Sequence, residues 1–215
     1  MVQTHVGFAR WDDSAARWGA AHTTGTTEWV LRVITQLGGT PVVIALCVGV
    51  SIVEYRRLPA WAVPAFVATV VVSRLVVTNL IKVAVGRERL DIARLVGATG
   101  FSFPSGHTAA SAAAYAAIAL VVGRGRNRRT KAIPAGVAGG ITVAVATSRV
   151  LLRVHWLTDV IAGVALGRAC FASCSITYGG RLLQFAAPVE AAGAVPATES
   201  APANAPVSST SRSTA

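Results

Sequence analysis

The sequence predicts an all-α fold, a polytopic membrane helical bundle of about five transmembrane helices plus an N-terminal surface helix. Three observations carry this expectation. Of 215 residues, 53% are hydrophobic and only 13% charged, and the mean hydropathy is positive, which is too apolar for a soluble domain of this length. The apolar residues gather in repeated runs of roughly 17 to 25, the length a helix needs to cross a bilayer. The charge gathers between the runs: the net charge of +11 is nearly all arginine, with Lys82 and Lys131 the only lysines. Arginines so placed anchor loops and offer anion sites; they do not make the continuous basic face of a nucleic-acid binder.

From the N-terminus, GFARWDDSAARWGAAH carries Phe8, Trp11, Ala15 and Trp18 at helical spacing. With Arg and Asp between them, this reads as a helix lying on the membrane surface, within an interfacial segment 1–38. Thr40 to Val53 is short for a span and becomes long enough only if its helix begins near Leu31. Trp61 to Val85, Ser105 to Val122, Ala132 to Thr147 and Trp156 to Tyr178 qualify or nearly qualify, and complete a core over 39–184. Because the runs recur, none reads as a cleavable signal peptide. Past Gln184 the chain turns to Ala, Pro, Ser and Thr, so 185–215 is expected to be a disordered tail. Cys47, Cys170 and Cys174 sit inside apolar runs without a nearby histidine, as packing residues rather than zinc ligands or a disulfide framework.

The basic loops 54–59 and 123–131, with the end carrying Arg168 and Arg181, are cytoplasmic by the positive-inside rule. Yet the other side also holds Lys82, Arg87, Arg89, Arg94, Arg149 and Arg153, and a topology rule does not account for these. Alternating the spans brings Lys82, Ser105, Arg149 and His155 to that same face. Lys and Arg give phosphoryl oxygens charge and forked donors. The Ser105–His107 peptide groups open a helix whose free N–H groups and dipole favour an anion. His155 and Asp159 stand four apart on one helix face, so the carboxylate can hold one imidazole nitrogen and leave the other as nucleophile or base. Together these residue types describe a phosphate site.

In three segments the chain resembles the type-2 phosphatidic acid phosphatase superfamily of membrane lipid phosphatases. Lys82 and Arg89 stand with six residues between them in KVAVGRERL, FPSGH supplies Pro104 to His107, and SRVLLRVHWLTD supplies Ser148, Arg149, His155 and Asp159. Leu90 replaces the family's proline after Arg89, which loosens the turn and leaves both cations. Many members have six spans; five here imply a member with its N-terminus outside, or a true start upstream of Met1. The resemblance implies that His155 attacks phosphorus to give a phosphohistidine, that Asp159 orients it, and that His107 protonates the leaving group and then activates water. It implies a phosphate cradle of Lys82, Arg89, Ser105, Gly106 and Arg149. No acidic cluster has metal-ligand spacing, so no metal and no cofactor are expected.

Arg74 is a cation inside a span, read as snorkelling, as a buried structural donor, or as a neighbour of the site on the face of Thr78 and Lys82. Arg87, Arg94 and Arg153 read as solvated loop charges, and Glu88 as a local partner. A site at the membrane surface admits a lipid phosphate, with no nucleic-acid partner. The Ala-, Val- and Arg-rich composition of a GC-rich bacterial source points to polyprenyl (undecaprenyl or decaprenyl) diphosphate recycling on the extracytoplasmic face of the cell membrane. Phosphatidic acid and phosphatidylglycerol phosphate fit the same cations. A soluble haloperoxidase would share the motifs but needs a large soluble body, and a catalytically silent lipid-binding or transport protein would need a deeper polar pathway than Arg74, Asn79 and Asp159 provide.

Overall fold

The computed structural model describes residues 8–57, 59–89, 95–97 and 100–184. The expectations for the tail, Leu90 and Arg94 lie outside them. The described chain is helical throughout: α1 (Phe8–His22), α2 (Gly25–Gln36), α3 (Thr40–Arg57), α4 (Ala62–Val85), α5 (Gly106–Gly123), α6 (Arg128–Leu151) and α7 (Leu157–Gln184). Four of these, α4 to α7, are long and apolar enough to cross a membrane, and α2 with α3 make a fifth if that pair, bent by 46°, counts as one span.

That bend corrects the expectation of one helix running on from Leu31. The break falls at Leu37–Gly39, and its cause is close packing. A Cβ at Gly38 would lie 2.6 Å from Val145 Cγ1 and 2.8 Å from the His107 carbonyl, distances no side chain tolerates, so only glycine lets the chain pass here. Tyr115 Oη donates to the Leu37 carbonyl at 2.8 Å, fixing the bend to α5.

α5 is the central helix. Its residues 108–117 are all buried, and the alanine run gives neighbours a smooth surface to approach. α7 answers with Gly163 and Gly167, one turn apart. A Cβ at Gly167 would meet the Ala109 carbonyl at 2.5 Å and Ala112 Cβ at 2.8 Å. In lipid, where apolar burial gives helices no net attraction, such backbone approach is the main source of packing energy. Gly167→Leu is therefore expected to destabilise the protein by about 1–3 kcal/mol through overpacking. Gly136→Ala, where an added Cβ meets nothing within 4 Å, is expected to be silent; thermal unfolding in detergent compares the two.

Val70 and Phe66 of α4, Cys47 of α3, Ala113 of α5 and Cys174 of α7 form the apolar core. All three cysteines are buried free thiols, as the sequence implies. At the far end of the bundle Arg124 pairs with Glu54 at 3.0 Å, tying the 123–131 loop to α3. α6 runs past both ends of the expected Ala132–Thr147, because Asn127 caps it by accepting the Thr130 N–H (2.9 Å) and arginines propagate helix well in an interfacial turn. Arg168 lies near the middle of the Leu157–Gly179 span rather than at its basic end. Arg74, only 3% exposed, is packed inside the bundle and does not snorkel.

α1 departs from a plain surface helix. Trp11 and Trp18 are more than half exposed, as befits an interfacial helix, while Asp12 is 3% exposed. The helix turns two tryptophans outward and one carboxylate inward.

Candidate active site

The ends of α4 and α6 and the starts of α5 and α7 meet at one end of the bundle, and local geometry there is set by tight caps. α4 stops at Gly86, whose φ of 60° and N–H bond to the Lys82 carbonyl (3.0 Å) form a left-handed cap. The chain then leaves as Arg87–Glu88–Arg89. Ser105 is the N-cap of α5, and the first bond within that helix runs from Ala109 N–H to the Ser105 carbonyl at 3.0 Å. The preceding N–H groups of Gly106, His107 and Thr108 have no carbonyl within the helix to serve. A Cβ built on Gly106 meets nothing within 4 Å, so the side-chain position of that residue is unfilled. After α6, Arg153 takes φ 58°, a left-handed turn that swings His155 back over the bundle end.

Asp159 is fully buried, and four donors converge on it. Arg87 Nη1 reaches Oδ1 at 2.8 Å; His155 Nδ1 (3.3 Å), the Trp156 N–H (3.1 Å) and the Ser102 hydroxyl reach Oδ2. Asp159 is the third residue of α7, and its return bond to the residue before the helix is half of a capping box. Its rotamer is thereby fixed. Because Nδ1 faces a carboxylate, it carries the imidazole proton, and Nε2 keeps its lone pair. Arg89 Nη1 lies 3.3 Å from that nitrogen.

Arg89 is held by carbonyls, Gly100 at 2.9 Å, Val154 at 2.9 Å and Phe101 at 3.3 Å. Lys82 Nζ donates to the same Phe101 carbonyl at 2.6 Å, so one peptide oxygen gathers both cations of the first motif. Arg149, 4% exposed, donates to the Thr35 hydroxyl at 3.1 Å and its Nε has no partner among the described residues. Ser105 is turned inward: its hydroxyl pairs with Thr108 at 2.9 Å and its N–H with the Asp159 carbonyl at 3.0 Å, which locks α5 to α7. His107 is half-buried at the first turn of α5, within electrostatic reach of His155, Arg149 and Arg89.

His155, 3% exposed, has its pKa pushed down to about 4, first by burial and then by the charges of Arg149 and Arg89; the Asp159 hydrogen bond opposes this without overcoming it. At neutral pH it is an uncharged base.

The sequence reading missed a second layer. Arg87, taken as a solvated loop charge, bridges two carboxylates: Nη1 binds Asp159 and Nη2 binds Asp12 Oδ2 at 2.9 Å. Its guanidinium also stacks 5.3 Å from the Trp156 ring centroid. Asp12, Ser102 and Thr35 were equally unmarked. Only Ser102, three residues before Ser105, had a signal nearby; Asp12 and Thr35 lie far away in sequence on amphipathic helices.

A family model described as the PAP2 superfamily matches residues 61–182. The chain is 36% identical over 146 residues to phosphatidylglycerophosphatase B of Bacillus subtilis, covering 66% of this chain and 70% of that protein. It is 35% identical over 113 residues to a lipid A 1-phosphatase of Rhizobium etli, covering 48% and 45%. The crystal structure of a transmembrane PAP2-type phosphatidylglycerolphosphate phosphatase from Bacillus subtilis superposes with a TM-score of 0.74 at 29% identity, over 79% of this chain and 85% of that one. The crystal structure of Aquifex aeolicus LpxE, at 20% identity and a TM-score of 0.59 over 75% of this chain and 92% of that one, shares the fold. With a family model spanning more than half of its length, the chain belongs to the PAP2 superfamily and is a multi-pass membrane lipid phosphatase.

Proposed function

We propose that the protein hydrolyses a lipid phosphate or diphosphate through a phosphohistidine on His155. The observation that carries this is the line Asp159–His155–Arg89: a carboxylate fixes the Nδ1 proton, and the Nε2 lone pair points at the Arg89 guanidinium 3.3 Å away, where a phosphoryl oxygen would be drawn. In the first step Nε2 bonds to phosphorus while the ester P–O bond breaks, and His107 gives a proton to the departing oxygen. In the second, His107 takes a proton from water as its oxygen attacks phosphorus, the P–N bond breaks, and phosphate leaves. Lys82, Arg89, Arg149 and the Gly106 N–H hold the equatorial oxygens, and the Ser105 hydroxyl joins them only by turning away from Thr108.

In this reading the protein's own cations neutralise the transition state and no metal takes part. Phosphate release from a lipid phosphate is expected to persist in EDTA and to be blocked by vanadate, which mimics the five-coordinate phosphorus. Loss of turnover in EDTA, restored by Mg²⁺, would overturn the metal-independent step.

The 39–184 core is the phosphatase unit of this proposal, with 1–38 at the interface and 185–215 as an appended tail. The site faces the extracytoplasmic side, because the basic 54–59 and 123–131 loops lie at the other end. Cysteines placed at Gly97 and Gly125 and labelled from outside test this; labelling only at Gly125 reverses it. Composition points to polyprenyl diphosphate as substrate. The names of the two Bacillus subtilis relatives favour a second reading, phosphatidylglycerol phosphate. Turnover on polyprenyl diphosphate, phosphatidic acid and phosphatidylglycerol phosphate ranks them directly.

A further inference from the structure

Helix α7 presents a problem at its start. The residue before it is Trp156, whose indole cannot accept a hydrogen bond, so the helix lacks the side-chain cap that would serve its first N–H groups. The acceptor comes instead from the other end of the chain. Asp12 Oδ1 takes the Thr158 N–H at 2.8 Å, and Oδ2 takes the Thr158 hydroxyl at 2.7 Å. Asp159 supplies the reverse half of the same capping box through the Trp156 N–H. The second job of Asp12 is electrostatic. Its Oδ2 binds Arg87 Nη2 at 2.9 Å while Arg87 Nη1 binds Asp159 Oδ1 at 2.8 Å.

From this arrangement we propose that Asp12, carried by the surface helix α1, is a positioning residue for the catalytic pair. It completes the α7 cap in trans and holds Arg87 on the outer oxygen of Asp159, leaving the inner oxygen for His155. The inference rests on the reading of His155 as nucleophile and Asp159 as its orienting carboxylate.

The burial supports a functional role. Asp12 is 3% exposed and Asp159 0%, while Arg87 between them is 33% exposed, so two buried carboxylates share one partly exposed guanidinium, with one net negative charge. An acid on an otherwise interfacial helix gains nothing from such burial unless its partners need it. The charge count gives the consequence. With Asp12 present, Arg87 divides its fork between two carboxylates and Asp159 retains most of its negative field for the imidazole. With Asp12 neutralised, Arg87 turns wholly to Asp159 and competes with His155 for it. The side chain of Asp12 is engaged by Thr158 and Arg87, outside the phosphate cradle, so phosphate binding should be spared. The signature is a loss in kcat with KM unchanged.

The test uses the full chain in detergent micelles, on whichever of the three lipid phosphates the wild-type protein turns over fastest. Asp12→Ala removes both roles. Asp12→Asn keeps an acceptor for the Thr158 N–H and loses the charge. We expect kcat to fall roughly 10- to 100-fold in Asp12→Ala, from the size of positioning effects, and by less in Asp12→Asn, with KM within about twofold for both. Thermal unfolding separates a folding defect: if either variant melts early yet its folded fraction keeps the wild-type kcat, Asp12 is only structural and the proposal fails. It fails equally if the whole loss lies in KM, or if Asp12→Asn, which keeps the cap, matches wild type in every constant. Should Asp12→Ala not fold, Asp12→Asn alone decides. His155→Ala measured alongside keeps the two readings apart: an inert His155→Ala beside an unaltered Asp12→Asn sinks the role of Asp12 alone, whereas an active His155→Ala sinks both.

Discussion

Replacing His155 by alanine is expected to lower kcat by at least about 10³-fold while the helices remain assembled, because in the proposed mechanism the substitution removes the group that bonds covalently to phosphorus. The environment makes this a large effect. A buried imidazole with its pKa pushed down to about 4 keeps Nε2 unprotonated at neutral pH, already aligned by Asp159 at 3.3 Å. In the proposed mechanism His107, on α5, transfers the proton and does not attack phosphorus. The check is kcat with lipid phosphate, paired with trapping of an acid-labile phosphoenzyme. A protein that lost the phosphoenzyme but retained turnover would move the chemistry to direct attack by water.

The same pKa gives a pH prediction with a definite sign. His155 binds its proton more weakly in the folded chain than an exposed histidine does, so the acid limb of kcat/KM in the free enzyme should lie near pH 4 instead of near 6.5. Stability runs the same way. Between those two values the unfolded chain takes up a proton that the native site refuses, so native stability falls as pH drops through this window and is unaffected by His155 above it. The charged or titratable groups facing His155 are Asp159 on α7, Arg89 in the loop after α4, Arg149 on α6 and His107 on α5. A limb near pH 6.5 would mean that His155 is more open to water than its 3% exposure implies.

The parts of the site that were legible in the sequence are those where a chemical need fixes both residue type and spacing. His155 and Asp159 must share a helix face, Ser105–Gly106 must open a helix, and Lys82 must close one; each constraint is local and survives without a fold. What stayed hidden depends on tertiary contact. Arg87 looked like any loop arginine, since nothing in GRERL says that its fork will reach back to α7 and across to α1. Asp12 sits on a helix whose periodicity describes its membrane-facing tryptophans and is silent about the opposite side. The bend at Leu37–Gly39 was written in two adjacent glycines, but its cause, the His107 carbonyl 2.8 Å from where a Cβ of Gly38 would stand, belongs to a helix some seventy positions away. Hydropathy located the spans well and their ends poorly, because charged residues that cap and extend α6 count against a span while favouring a helix.

Asp159→Asn is expected to cost about 10²–10⁴-fold in kcat, the range seen when an orienting carboxylate is replaced by an amide, with a smaller change in KM. The geometry explains why a near-isosteric change should matter so much. Asn offers one acceptor oxygen and one NH₂ group, and the four donors now converging on the carboxylate cannot all be served. If the amide oxygen stays toward Oδ2, it keeps His155, Trp156 and Ser102, and the NH₂ group is driven against Arg87, which turns toward Asp12. If the amide flips, its NH₂ faces Nδ1 and forces the imidazole into the other tautomer, so that the proton sits on Nε2 and the lone pair is lost from the reacting side. Both arrangements also remove the negative field that stabilises the imidazole as positive charge builds on it during attack. The two outcomes separate in a phosphoenzyme trap: the first slows formation of the intermediate, and the second prevents it. Because the Ser105–Asp159 backbone bond (3.0 Å) and the Thr158 N–H bond to Asp12 (2.8 Å) do not involve the substituted side chain, the start of α7 should stay in place, and melting temperature should fall far less than activity. A variant that lost stability and activity in proportion would show instead that Asp159 acts chiefly as a structural cap.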